Sequence, residues 1–309
     1  MIYELSLEEA EKYWDNLLQT LDINVNFYQS FSNGKIEGII NRQPRYLIYY
    51  SDNKIKAMAM CLFKKDLVTI PFGPALCDQV DDREFEYILD CFEKYLNNRL
   101  VYTIEKSEFE KYKNLVKDEN LYWDFTTILL DTKNKNINDI ISSFNTNRRR
   151  ILRKCLEELK DYIIEDSKQN IDEFYNLYIH RLAETGCKID FSEFYLKNIV
   201  ENNNTGLLTC KNNEGKGISG LIYYKFGDTL ITRHNAFDSY YAKLNPGTYL
   251  DFHMINRVVN DEVLNYYDFS GLAVGDDVET KLLNINRYKQ SYGAKKILRH
   301  KWMYKERKL

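Results

Sequence analysis

Two stretches, Tyr266-Tyr267-Asp268-Phe269-Ser270-Gly271 and Asn286-Arg287-Tyr288-Lys289-Gln290-Ser291-Tyr292-Gly293, decide how this chain folds. The first is a short aromatic run that breaks at Gly271, the pattern of a buried strand reaching its end. The second reads as a helix closed by Gly293, with a cation and aromatics in its last turn. A carboxylate at a strand end and a lysine at a helix end are polar groups set on rigid elements, where sites tend to be built. A structural turn and a solvated lysine are the alternative for either segment taken alone.

Composition bounds the answer. At 309 residues the chain exceeds the size at which one core usually stops growing, so two domains are expected. Hydrophobic residues make up 44% and charged residues 29%, an ordinary globular balance. Lys+Arg at 43 against Asp+Glu at 46 gives a net charge of -3, so a polyanion would have to meet a local basic patch. No stretch approaches the roughly 18 apolar residues that span a membrane. The start, Met1-Ile2-Tyr3-Glu4-Leu5-Ser6, has no basic region ahead of an apolar core and so does not read as a signal peptide.

The cysteines lie at 61, 77, 91, 155, 187 and 210, with no Cys-x-x-Cys pair and no histidine at ligand spacing. They read as small hydrophobes in a reducing compartment, which points to the cytoplasm and to no metal centre.

Working outward, the order of elements repeats. Ser6 and Glu9 form a capping box opening an N-terminal helix. Arg45–Tyr50 and Ile55–Met60 flank the turn Ser51-Asp52-Asn53-Lys54 as a hairpin. A strand at Leu67–Pro71 follows, then a helix with Phe85, Ile88, Leu89, Phe92 and Leu96 on one stripe. A strand at Leu100–Ile104, a short helix and a strand at Trp123–Leu130 complete the half.

The second half has the hairpin Leu207–Cys210 and Ile218–Tyr224, then a strand at Thr229–His234 and a helix near Thr248–Val259. A strand at Leu264–Phe269, a helix near Glu279–Tyr292 and a strand at Ile297–Tyr304 follow. The two sets are offset by roughly 160–165 residues without residue identity, as in a duplicated α/β unit. Hairpins leading into βαβ crossovers imply a mixed sheet in each half. The expected domains are 1–135 and 136–309.

Between the halves lies Asn147-Arg148-Arg149-Arg150-Ile151-Leu152-Arg153-Lys154-Cys155-Leu156. Ile151, Cys155, Leu156 and Leu159 make a narrow apolar stripe, leaving the cations on the outer face of a helix. Bidentate arginine suits pyrophosphate or a nucleic-acid backbone. A solvated face balanced by Glu157 and Glu158 is the alternative.

The order hairpin, strand, helix, strand, helix, strand resembles the GNAT acyltransferase fold, and the C-terminal half resembles the FemABX family of aminoacyl transferases. The arginine-rich helix with Arg148, Arg149, Arg150 and Arg153 matches the family's opening of its second domain. The bend Tyr240-Tyr241-Ala242-Lys243-Leu244-Asn245-Pro246-Gly247-Thr248 matches its lead into the third helix. Tyr267–Gly271 and Tyr288–Gly293 match its Tyr-Asp-Phe-Gly-Gly strand and Phe-Lys-x-x-Phe-Gly segment. Ser270, Tyr288 and Tyr292 depart from that pattern while keeping shape and aromatic character. The likeness covers about 137–304 in motifs, and the first half by element order alone.

The resemblance implies two tandem GNAT-like domains and transfer of an activated acyl group to an amine, with no permanently bound cofactor. FemABX enzymes take amino acids from aminoacyl-tRNA to peptidoglycan precursors; other relatives use acyl-CoA. GNAT enzymes cradle the CoA pyrophosphate on a glycine-rich loop at a helix N-terminus. The matching loop here has one glycine, Gly247, and a proline that removes an amide donor, which favours aminoacyl-tRNA as donor. The acceptor would be a small-molecule or lipid-linked amine, leaving peripheral contact with a membrane open.

Aminolysis needs a neutral amine, a proton acceptor and a charge on the oxyanion. Lys289 takes the electrostatic role by its match to the family lysine. Asp268 orients the amine or accepts its proton, and His234 ranks ahead of His253 as another base. Arg148, Arg149, Arg150, Arg153, Tyr241, Tyr288 and Gly247 make up the expected donor and substrate contacts. A degenerate acyltransferase that binds RNA or an envelope precursor without turnover is the competing class; there the arginines would matter and Asp268 and Lys289 would not.

Overall fold

The structure, a computed structural model, describes residues 1–21, 25–65, 67–97, 99–105, 121–186, 188, 191–272 and 280–304. They fall into two compact units, Met1–Thr126 with Ile297–Leu309, and Thr127–Lys296.

The first unit opens with β1 (Ile2–Leu5), α1 (Leu7–Leu21) and α2 (Phe31–Ile39). The hairpin β2 (Gln43–Ser51) and β3 (Lys54–Lys64) follows, then β4 (Leu67–Ile70), the short β5 (Ala75–Leu76), α3 (Asp82–Leu96) and β6 (Arg99–Glu105). The capping box forms as expected: the Ser6 amide donates to Glu9 Oε2 at 2.8 Å and the Glu9 amide to Ser6 Oγ at 3.2 Å. The hairpin turn works because Asp52 and Asn53 take φ of 49° and 58°, the left-handed pair that matches strand twist. On α3 the buried residues are Phe85, Ile88, Leu89, Phe92 and Leu96, the stripe expected from spacing. They pack on Leu47, Ala57, Ala59, Val68 and Ile70 of the sheet.

The chain enters the second unit along β7 (Leu121–Asp131) and continues through α4 (Ile137–Ser143), α5 (Thr146–Glu158) and β8 (Ile163–Asp166). Next come α6 (Ile171–Glu184), α7 (Glu193–Glu201), the hairpin β9 (Thr205–Lys211) and β10 (Gly217–Phe226), and β11 (Thr229–Phe237). A short 3₁₀ turn at Ser239–Leu244 leads to α8 (Pro246–Asn260), β12 (Tyr266–Leu272) and α9 (Thr280–Gln290). The last strand, β13 (Lys295–Tyr304), belongs from Ile297 onward to the first unit.

Strands run in the order β1-β2-β3-β4-β6-β13 in the first unit and β7-β12-β11-β10-β9-β8 in the second. In each, antiparallel hairpins lead into a parallel pair, β4 with β6 and β11 with β12. This is the mixed α/β, tandem GNAT-like architecture that the repeated element order implies. Boundaries move by a residue or two, as helix and strand ends do.

Three differences have physical causes. The compact units divide at Thr126/Thr127, and β13 returns to pair antiparallel with β6 from Arg299↔Glu105 to Tyr304↔Leu100, covering an edge that would otherwise be bare. The helices α6 and α7 have no counterpart in the sequence expectation; α6 buries only Phe174 and Tyr178, too few to make a stripe. The short helix expected between β6 and β7 lies outside the described residues, as does Cys187. Of the other cysteines, Cys61, Cys155 and Cys210 are buried and all five are free thiols.

Candidate active site

In the second unit the parallel register of β11 and β12 covers Thr229↔Tyr266, Leu230↔Tyr267 and Ile231↔Asp268, and among the described residues it ends there. Yet β11 runs on to Phe237 and β12 to Leu272. Two hydroxyl bonds bridge the fork: Thr232 Oγ1 donates to the Asp268 carbonyl at 3.3 Å, and Ser270 Oγ donates to the Thr232 carbonyl. Past them the strands leave an opening at their carboxyl ends, where ligands bind in open α/β sheets. A bulge sharpens the divergence. Tyr223 faces Thr232 and Ile222 faces His234, so Arg233 is an extra residue on β11.

Lys289 stands at this opening. It lies in the last turn of α9, and its Nζ donates to the Gly271 carbonyl at 2.6 Å, just past Asp268 on β12. The side chain is half-buried, and desolvation pushes its pKa down to about 8; the Asp268 and Asp251 carboxylates resist that fall and Arg233 adds to it. Asp268 is buried, with Oδ1 accepting the Ser270 amide at 2.7 Å. Ser270 adopts φ 62°, so the strand breaks there and exposes the Gly271 carbonyl to the lysine.

Beneath lies a cluster that the sequence pattern did not reveal. Asp251, buried on α8, accepts hydroxyls from Tyr267 at 2.7 Å and Tyr288 at 2.6 Å, and the Tyr292 hydroxyl, 3.1 Å from Asp251 Oδ2 and 3.0 Å from the Tyr288 oxygen, gives its one proton to either. Burial pushes the Asp251 carboxyl up; the three hydroxyls and Arg148 pull the other way. The signal was present: Asp251, Met254, Ile255 and Val258 share the inward stripe of α8, so a carboxylate occupies an apolar position.

Arg148 covers the tyrosines. Its guanidinium lies 4.2 Å from the Tyr288 ring centroid and 4.7 Å from that of Tyr292. Nε donates to Ser291 Oγ at 2.7 Å and an Nη to Thr248 Oγ1 at 2.6 Å. The buried stripe of α5 is therefore Arg148, Leu152 and Cys155, continued by Leu159, and not the one starting at Ile151.

The expected residues thus part company. Lys289, Asp268, Tyr288, Gly247 and Arg148 gather about the end of β12 and the start of α8; a Cβ on Gly247 would sit 3.7 Å from the Tyr288 hydroxyl. Arg149 turns back to cap α4, donating to the carbonyls of Ser142 at 2.8 Å and Phe144 at 2.7 Å. Arg150 and Arg153 stay on the exposed face of α5. Tyr241 accepts a bond from Asn212 Nδ2 at 3.2 Å, by the hairpin turn. The His234 ring packs 6.0 Å from that of Tyr178 on α6 and 5.0 Å from that of Phe191, which precedes α7. Burial pushes its pKa down to about 3 and Nε2 has no hydrogen-bond partner among the described residues, so it is a neutral packing residue. His253 packs likewise against Tyr249 and Phe252.

Residues 143–290 match the family model of the acetyltransferase (GNAT) domain. Comparison with curated protein sequences gives no match. Among solved structures the chain is similar to FemX, with a TM-score of 0.76 and 13% identity over 98% of this chain and 97% of that one. It is similar to L-PGS from Bacillus licheniformis, with a TM-score of 0.58 and 12% identity over 86% and 85% of the two chains. It is also similar to the tandem GNAT protein from the clavulanic acid biosynthesis pathway, with a TM-score of 0.51 and 8% identity over 99% of each. At these identities the likenesses concern the fold, and the family model adds the domain type. Residues 143–290 therefore carry the acetyltransferase (GNAT) domain type, within a chain whose fold is similar to that of FemX and of a tandem GNAT protein.

Proposed function

We propose that the chain transfers an aminoacyl group from aminoacyl-tRNA to an amine of a cell-envelope precursor, in the cytoplasm, at the opening between β11 and β12. The observation that carries the reading is the placement of Lys289, a half-buried ammonium at the mouth of that opening beside Asp268. The neutral acceptor amine attacks the ester carbonyl carbon. The C–N bond forms as charge collects on the carbonyl oxygen, and Lys289 stabilises that charge more than it stabilises the ground state. Asp268 orients the amine or takes its proton. The ester C–O bond then breaks, and the ribose hydroxyl leaves carrying a proton.

The choice of donor rests on the connection between β11 and α8. The amides of Tyr240, Tyr241, Asn245 and Thr248 are bonded within that segment, to Asp238 Oδ1, Asp238 O, Ala242 O and Asn245 O. Pro246 has no amide to give. Few donors remain for a pyrophosphate, which favours an ester donor over a CoA thioester. The exposed Arg150 and Arg153 suit the tRNA backbone. Among the described residues no helix is long and apolar enough to cross a membrane, so a lipid-linked acceptor would be met at the membrane surface.

Acyl-CoA remains the second reading, favoured by the match of residues 143–290 to an acetyltransferase domain. Transfer from labelled aminoacyl-tRNA and from labelled acetyl-CoA to an amine acceptor separates the two. The account expects turnover with the tRNA donor that ribonuclease abolishes and that falls steeply with salt. Turnover with acetyl-CoA that is indifferent to ribonuclease and salt would replace the proposed donor.

A further inference from the structure

A carboxylate on the inward stripe of a helix is costly unless its oxygens are bonded. Asp251 is bonded fully, and by groups from elsewhere in the unit: Tyr267 from β12, Tyr288 from the last turn of α9, and Tyr292 just beyond it. The α9 apolar residues Leu282, Leu283 and Ile285 are 39%, 40% and 41% exposed, so no buried stripe fixes those turns. The helix is tied at its C-terminal end, and Lys289 sits next to one of the tethering tyrosines.

We propose that Asp251 is a positioning residue for the acyl transfer: acting through Tyr288 and Tyr292, it fixes the last turn of α9 and so holds the Lys289 ammonium on the end of β12. The proposal rests on the reading of Lys289 as the transition-state cation given above. Arg148 supports the arrangement from the other side, since its stacking on both rings and its bond to Ser291 Oγ leave the two tyrosines little freedom to turn. Tyr288→Phe should therefore fold, yet it removes the hydroxyl that ties the last turn of α9 to Asp251.

Position and charge predict opposite results. Among the described residues the charged groups facing Lys289 are Asp268 from β12, Asp251 from α8 and Arg233 from β11. Neutralising Asp251 with the lysine left in place would remove an attraction and make the amine more acidic. Releasing the lysine to water would make it less acidic, moving it toward the ordinary value of 10.5.

The test is trace labelling of the full-length protein with acetic anhydride across pH, with the labelling of Lys289 read by mass spectrometry. Wild type should show half-maximal reactivity at about pH 8. In Asp251→Asn and in Tyr288→Phe that midpoint should rise by about one pH unit or more as the hold on the side chain is lost. A midpoint that stays put or falls in a folded variant, verified by circular dichroism, would overturn the proposal. If Asp251→Asn does not fold, Tyr288→Phe decides alone. Labelling needs no turnover, so a fully active Lys289→Met would refute the catalytic reading without touching this result.

Discussion

Lys289 and His234 are both desolvated bases whose pKa falls, and where each lands separates their roles: the lysine near 8 keeps its charge at neutral pH, and the histidine near 3 does not. The unfolded chain holds a proton on His234 below about pH 6.5, whereas the native chain refuses it until about pH 3. Stability attributable to this residue is therefore complete above the unfolded value and is lost as pH falls below it. The loss is up to about 1.4 kcal/mol per pH unit. Between pH 6.5 and 4.5 wild-type Tm should fall more steeply than that of His234→Phe; equal slopes would mean that the imidazole is not held neutral. Lys289 has to be charged to stabilise an oxyanion, so kcat should decline as pH rises through about 8. Lys289→Arg should lose that limb, because a guanidinium stays protonated. Lys289 and Asp268 were legible because strand and helix ends are marked by glycines and turn chemistry. Asp251 was not, because one acid within a helical pattern looks solvated until the stripe around it is known to be inward.

At the scale of elements, α5 shows how composition misleads about orientation. Its basic run promised one cationic face, but the helical period carries Arg148 inward beside Leu152 and Cys155. Arg148→Ala removes the donors to Ser291 Oγ and Thr248 Oγ1 and takes the cation from two rings. It should cost about 2 kcal/mol or more, seen as a lower Tm; an unchanged Tm would show the network to be incidental. The double change Arg150→Ala, Arg153→Ala should leave Tm alone and flatten the salt dependence of donor binding, by about one unit of slope for each phosphate no longer neutralised. The end of α9 is likewise constrained. Gly293 adopts φ 70°, and a Cβ there would lie 2.3 Å from the Ser143 carbonyl. Gly293→Ala should cost at least ~1 kcal/mol and, by moving the turn that carries Lys289, reduce activity among the molecules still folded.

For the whole molecule, the duplicated order of elements was readable because hairpin turns and amphipathic helices leave local signatures. The allegiance of β13 was not, since an apolar strand pattern says nothing about which edge it will cover. Ending the chain after Lys296 should bare the β6 edge and destabilise the first unit, detected as selective proteolysis of Met1–Thr126. The two units differ in what they offer chemistry. Lys289, Asp268 and Asp251 all belong to Thr127–Lys296, and so does the opening between β11 and β12. The central claim is that the charge on Lys289 serves the transition state. Its most direct test is single-turnover transfer by Lys289→Met, which keeps the apolar stem and removes only the ammonium. The account predicts a loss of about 10²-fold or more with Tm unchanged or slightly raised. Wild-type turnover by the folded mutant would contradict it.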